Sequence, residues 1–311
     1  MTTIPWQHRL QEVARDRERG ASELVVDALD CLLDAFDQPA DFHANPVRSA
    51  MISLRFNQPA MAPVLNLTAE VCHWLDNPYP EHDRTAWVNR MRKNVLDMRD
   101  LQTTADQMLR ERLIKLELPG ERFGFFSWSS TIASGLRAMG KRLKPARAFV
   151  GESLPGGEGK KMADFLAHLG WSVWLISDMQ LADYARSGKL DTLLLGCDAF
   201  DNTHFVNKIG SGALAALMSR MGKRVEIWAG PGKQVNPMEL RELDMGAAEP
   251  PPSVATGMAT PRPLFGAGLL DDVDVLRTPS EDHTRQTLMN GGGLARSTPI
   301  ADYLKLENRP A

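Results

Sequence analysis

The sequence predicts an α/β protein with an N-terminal helical domain and a three-layer α/β/α domain built on a mostly parallel sheet. Three observations predict it. The first third carries apolar residues at three- and four-residue spacing, the period of a helix. From residue 120 onward, short apolar runs rich in β-branched and aromatic residues alternate with helix-length segments. Those runs are apolar throughout, as strands covered on both faces must be.

In the first part, Gln7–Arg19 and Glu23–Phe36 both read as amphipathic helices, the second through Leu24, Val25, Ala28, Leu29, Leu32 and Leu33. Pro46, Pro59, Pro63, Pro78 and Pro80 set starts and stops after them, because proline removes a donor and clashes within a helix. Thr85–Leu118 is the longest helix expected, with Val88, Met91, Val95, Met98, Leu101, Met108, Leu109 and Leu113 as its apolar positions. The domain boundary is placed at 118/119, giving a helical domain over 1–118 and an α/β/α domain over 119–311.

Past that boundary, strands are expected at Arg122–Trp128, Ala146–Gly151, Ser172–Ser177, Thr192–Cys197 and Arg224–Ala229. Helices are expected between them at Ser130–Arg142, Gly159–Leu169, Met179–Arg186 and Gly210–Met221. Strands alternating with helices make a Rossmann-like, doubly wound sheet. Residues 246–263, with Pro250, Pro251 and Pro252, read as an irregular loop. Leu269–Leu276 reads as a last strand or edge segment, and Asn290 through Gly293 as a joint before the tail.

Charge and cysteine content narrow the function classes. With 36 basic and 39 acidic residues the net charge is −3, so no overall field draws the chain to nucleic acid or to an anionic membrane. No apolar run approaches the roughly 20 residues of a membrane helix, and the first residues lack the basic-then-apolar pattern of a signal peptide. Cys31, Cys72 and Cys197 are far apart and odd in number, which fits neither a disulfide framework nor a zinc knuckle. The expected setting is reducing and cytoplasmic.

In a doubly wound sheet, ligands bind beyond the carboxyl ends of the strands. Four such segments carry polar groups. Ser127 through Thr131 put hydroxyls and free N–H groups at a helix start, either as an anion site or as plain capping by Ser129 or Ser130. Gly151 through Lys160 resembles a phosphate loop but fails as one: Leu154 stands where the first glycine is needed and Lys161 where Ser or Thr is needed. That excludes a Walker-type ATPase, and a Ser-rich rather than Gly-rich turn after the first strand excludes a dinucleotide fingerprint.

The third segment is the strongest. Asp198 follows the apolar run Leu193-Leu194-Leu195-Gly196-Cys197, and a partly buried carboxylate at a strand end is a candidate acid or base. Asn207 and Lys208 follow nine and ten residues later, before Ile209 and Gly210, as if opening the next helix. They offer an amide for sugar hydroxyls and a cation for phosphate. Cys197, Asp198, Asp201 and His204 fit no standard zinc spacing, so no metal and no other cofactor is expected. In the fourth segment, Lys233 after Pro231-Gly232 either lines the same cleft or lies exposed.

These residues resemble a known superfamily. It comprises methylthioribose-1-phosphate isomerase, ribose-1,5-bisphosphate isomerase and the alpha, beta and delta subunits of translation initiation factor 2B. Its pattern runs Glu-Ser/Thr-Arg-Pro, then Gly-Ala-Asp, then Asn-Lys-Ile-Gly-Thr. Here the matching stretches are Gly151-Glu152-Ser153-Leu154-Pro155, then Gly196-Cys197-Asp198, then Asn207-Lys208-Ile209-Gly210-Ser211. The resemblance covers residues of about 120–235 well and the helical part only loosely. It implies that Asp198 is the catalytic carboxylate and that Asn207, Lys208 and Arg48 bind substrate. It also implies binding through Glu158 and a homodimer, while the helix start read above offers the Ser129–Ser130 backbone for phosphate.

The chain departs from that pattern at three positions. Ser127 stands at the catalytic cysteine position, and an alkoxide is much harder to form than a thiolate. Leu154 replaces the arginine, removing a bidentate phosphate donor. Glu158 replaces a neutral glutamine. The leading reading is a divergent aldose–ketose isomerase-like protein that binds a phosphorylated ribose-type ligand at Asp198. The alternative is a non-catalytic sensor of a sugar phosphate or nucleotide, acting through a protein partner.

Overall fold

The computed structural model describes residues 5–16, 19–37, 42–58, 60–76, 83–118, 120–140, 146–235, 247–248 and 262–289. The proline run at 250–252, the glycine joint at 290–293, and Pro59, Pro78, Pro80 and Pro119 lie outside them.

Five helices come first: α1 (Trp6–Arg15), α2 (Ala21–Ala35), α3 (Ala44–Asn57), α4 (Ala62–Asp76) and α5 (Arg84–Ile114). Their apolar stripes form one core, which includes Leu24, Leu32, Phe36, Met51, Leu54, Leu67 and Val95. Helix ends are satisfied locally. Glu23 accepts from the Gly20 N–H ahead of α2, and the Gln58 amide donates to the Val13, Ala14 and Asp16 carbonyls at the end of α1. Helix α5 spans both parts of the chain: Trp87–Met98 pack among the other helices, while Leu109 and Leu113 join a core with Phe123, Phe125 and Trp228. No described helix is long and apolar enough to cross a membrane.

The second part runs β1 (Arg122–Phe126), α6 (Ser130–Met139), β2 (Arg147–Gly151), α7 (Gly159–His168), β3 (Ser172–Ile176), α8 (Asp178–Arg186) and β4 (Thr192–Leu195). It continues through β5 (Ala199–Phe200), β6 (His204–Lys208), α9 (Ser211–Arg220) and β7 (Arg224–Trp228). A two-residue pair, β8 (Ala247–Ala248) with β9 (Arg262–Pro263), precedes β10 (Phe265–Leu269), β11 (Val275–Arg277), β12 (Asp282–Thr284) and a short helix, Arg285–Met289. The main sheet has seven strands in the order β12-β11-β7-β4-β1-β2-β3, parallel except for β12. Its central strands bury Phe123, Phe125, Val150, Leu193, Leu194, Leu195, Val225 and Ile227, as their unbroken apolar runs require.

Some helix ends fall short of those expected, the β8–β9 pair lies in the loop expected at 246–263, and β12 is an added edge strand. Two further segments differ in a way that shapes the site and the sheet. Asp198 through Lys208 is not a loop leading into a helix. It forms the β5–β6 hairpin, which pairs with β10 in a second, antiparallel sheet. The turn is held by Asp201, whose carboxylate accepts from the Thr203 and His204 N–H groups at 2.7 and 2.6 Å. The expected last strand at Leu269–Leu276 is split: β10 ends at Leu269, a 3-10 turn covers Leu270–Asp272, and β11 starts at Val275. Leu270 and Val273 turn into the core there, which breaks the alternation an extended strand would need.

Candidate functional site

The sheet order reverses direction at β1. Its sequence successor β2 lies on one side and β4 on the other, so the crevice beyond the ends of β1 and β4 is the switch point where α/β sheets take ligands. The segment after β1 begins with Ser127, and the segment after β4 ends with Asp198. The two approach closely: a Cβ on Gly196 would stand 2.6 Å from the Ser129 hydroxyl. The helical part closes over them. The Ala62 N–H at the start of α4 donates to the Asp198 carbonyl at 3.2 Å, and the Asn66 amide donates to the Gly232 carbonyl at 3.0 Å.

Four charged side chains meet in this crevice. Asp198 lies 3.6 Å from the Lys233 ammonium. Lys208 donates to Glu158 at 2.8 Å. Asp198 also feels the charges of Glu158 and Lys208. Both lysines are almost completely buried, whereas Asp198 keeps 21% of its side-chain surface exposed and can be reached from solvent. Burial pushes the Asp198 carboxyl up, and Lys233 and Lys208 pull it back only in part. A fifth group comes from the middle of α5. Asp106 feels Arg110 and Lys233, yet burial dominates and pushes its carboxyl up to about 6.

The β-strand alternation decides where the Asn207–Lys208 pair points. Val206 packs with Ala62 of the helical part, so Lys208, two residues on, shares that face. Asn207 takes the opposite face, where its amide donates to the Ser211 hydroxyl at 3.0 Å at the start of α9. Asp198, Lys208 and Glu158 are therefore brought together, and Asn207 is turned away from them.

Arg48 is also elsewhere. It pairs with Asp76 at 2.7 Å, at the end of α4 opposite to Ala62, so roughly 20 Å of helix separates it from Asp198. Ser129 acts as a cap, accepting from the Ile132 N–H at 3.3 Å. The Ser130 hydroxyl is packed under Gly20, where a Cβ would come within 2.6 Å. Ser127 sits at φ +67, in the left-handed region that non-glycine residues seldom occupy. Its N–H donates to the Ser153 hydroxyl, and Ser153 is itself at φ +65. Asp178 holds that second turn by accepting from the Ser153 and Leu154 N–H groups at 2.7 and 2.9 Å.

Cys197 offers no nucleophile. Its Sγ faces the Ala199 carbonyl at 3.0 Å, and burial pushes its thiol up to about 12. Asp201 and His204 hold the hairpin turn. Among the described residues, no three His, Cys, Asp or Glu side chains are grouped as metal ligands would be.

The model of the initiation factor 2 subunit family matches residues 17–260, most of the chain. This chain belongs to that family. A translation initiation factor eIF-2B from Pyrococcus horikoshii OT3 has a similar fold, with a TM-score of 0.71 at 19% identity over 90% of this chain and 96% of its own. The 5-methylthioribose 1-phosphate isomerase of the same organism gives 0.69 at 17% identity, over 93% and 88%. The tetrameric eIF2B-beta2-delta2 complex from C. thermophilum gives 0.65 at 16%, over 93% and 92%. At these identities the likeness establishes the fold. No curated protein matches the chain in sequence.

Sequence reasoning left Lys233 open and missed Asp106 and Gln102. One signal was legible: Gln102 occupies a buried position in the α5 stripe between Met98 and Ala105, and a polar residue in an apolar stripe asks for a reason.

Proposed function

We propose that this member of the initiation factor 2 subunit family is a non-catalytic binder. Its cleft at Asp198 takes a small ribose-type ligand, and its output passes through association with other chains, beginning with a homodimer in a reducing, cytoplasmic setting. One observation carries this reading. Asp198, the carboxylate that proton transfer between sugar carbons would use, is held by Lys233, and Lys208, the cation expected to take phosphate, is held by Glu158. The second acid–base group is also lacking, since Ser127 offers a hydroxyl and the Cys197 thiol faces the core. The solved relatives named as initiation factor subunits and assemblies support an assembly role.

A second reading rests on Asp198 itself. A carboxyl raised by burial at the switch point of the sheet is what a general acid requires, and this favours aldose–ketose isomerisation. The test is to incubate the protein with methylthioribose-1-phosphate and with ribose-1,5-bisphosphate, following products by NMR. Calorimetry with ribose 5-phosphate, adenosine and adenosine 5′-monophosphate runs in parallel. Binding without turnover, weakened about tenfold by Asp198→Asn through loss of a charged hydrogen-bond acceptor, is the expected result. Turnover above the Asp198→Asn control would replace this reading with the second. Neither binding nor turnover would remove both.

A further inference from the structure

Resting on the binding reading, we infer that the cleft recognises an uncharged ribose-type molecule, a nucleoside or a free sugar, and excludes its phosphomonoester, with Glu158 as the discriminating residue.

Among the described residues, Lys208 and Lys233 bring ammoniums to the cleft, and Glu158 and Asp198 pair with them. Asp106 adds a third carboxyl, mostly ionised at neutral pH. With Arg110 acting on Asp106 the cluster is close to neutral, and each ammonium already has its carboxylate. A phosphomonoester brings −1.5 to −2 charges at neutral pH, on the order of its second ionisation near 6. To reach Lys208 it must displace Glu158, which sits at the start of α7 and cannot go far. Like charges brought together in a poorly hydrated cleft cost several kcal/mol, on the order of a thousandfold in affinity.

Unmet hydrogen-bonding capacity points the same way. Glu158 Oε1 accepts from Lys208, but Glu158 Oε2 is buried with no donor among the described residues. In α5, one turn before Asp106, the Gln102 amide nitrogen is buried with no acceptor among the described residues. Buried polar atoms are nearly always partnered, so each retains hydrogen-bonding capacity that a small side-chain shift would open to a ligand. A hydroxyl suits both. It can donate to Glu158 Oε2 and leave the Lys208 pair intact, and a hydroxyl or ring nitrogen can accept from Gln102. A neighbouring hydroxyl can donate to the exposed edge of Asp198. A vicinal diol on an uncharged ring therefore completes the site, whereas a dianion must first take it apart.

The test is calorimetry with two matched pairs, adenosine against adenosine 5′-monophosphate and ribose against ribose 5-phosphate. Wild type is compared with Glu158→Gln, a nearly isosteric change whose fold is checked by circular dichroism and melting temperature. Wild type should bind at least one uncharged member tenfold or more tightly than its phosphate. Glu158→Gln should reverse that order by freeing Lys208 and removing a repulsive charge. Wild type preferring the phosphates, or an unchanged order in Glu158→Gln, would overturn the inference and leave the binding reading standing. Phosphate binding gained only in Glu158→Gln would support it. No binding of any probe by either protein would remove the binding reading and this inference with it.

Discussion

At the scale of single residues, Lys233 is the side chain on which the cleft depends. It is buried, it neutralises Asp198, and it lies within the field of Asp106. Lys233→Met should leave Asp198 without its cation. Breaking a buried pair costs about 3–5 kcal/mol, and the partial exposure of Asp198 lowers this to about 2–3 kcal/mol, measurable by urea denaturation at pH 7.5. Adding Asp198→Asn to Lys233→Met should recover about 1 kcal/mol or more as a coupling energy. Strict additivity would mean that the two groups do not interact.

Asp106 makes a separate prediction about pH. Its carboxyl is raised in the folded chain from 3.8 to about 6, so between those values the native state holds a proton that the unfolded state has lost. Its contribution is fully favourable below about pH 4 and is lost as pH rises through 6. At about 1.4 kcal/mol per pH unit the loss is on the order of 2–3 kcal/mol. Asp106→Asn should match wild type at pH 4 and exceed it in stability at pH 7.5, as read from melts across that range. Asp198 was legible in the sequence because a strand end displays it. Asp106 was not, because one acidic residue in a 31-residue helix gains meaning only from what packs against it.

At the scale of elements, the close contact of α7 with β2 fixes where Glu158 stands. A Cβ on Gly159 would lie 1.8 Å from the Gly151 carbonyl oxygen, so no other residue fits without moving the helix. Gly159→Ala should cost about 1–3 kcal/mol as overpacking against backbone. It should also shift Glu158 off Lys208, so that a lowered melting temperature and weakened discrimination between adenosine and its monophosphate appear together. The parallel strands were readable because their buried runs are apolar throughout. The β5–β6 hairpin was not. His204–Lys208 has only Phe205 and Val206 as apolar residues, and its pairing partner β10 lies some sixty residues further on. A short strand whose partner is that distant leaves no local periodicity to read.

At the scale of the whole molecule, a second ionic network fastens the late strands to the sheet and to α5. Glu226, fully buried in β7, accepts from Arg224 at 2.6 Å, from Arg277 at 2.9 and 3.2 Å, and from Trp228 at 3.3 Å. Arg277 and Arg112 of α5 both bond Asp282. Burial pushes the Glu226 carboxyl up, but Arg277 and Arg224 outweigh it and hold it below the usual range. Glu226→Ala would remove the buried carboxylate of Arg277, leaving it the partly exposed Asp282, and should cost about 3 kcal/mol in a urea melt. None of this was visible in the sequence, where Glu226 and Arg277 stand fifty-one positions apart. The order of helices and strands was visible, because hydrophobic period is a local property. We propose 118/119 as the domain boundary, with α5 serving both cores; limited proteolysis that cuts first near residue 119 would support it. The central proposal is that the paired charges at the switch point form a ligand site. The most direct measurement is carboxyl-carbon NMR of protein labelled at Asp and Glu, with Asp198 and Glu158 assigned through Asp198→Asn and Glu158→Gln. Adding adenosine should move those two resonances, saturably and together. Saturable binding that leaves both unmoved, or no binding of adenosine, ribose or their phosphates, would contradict it.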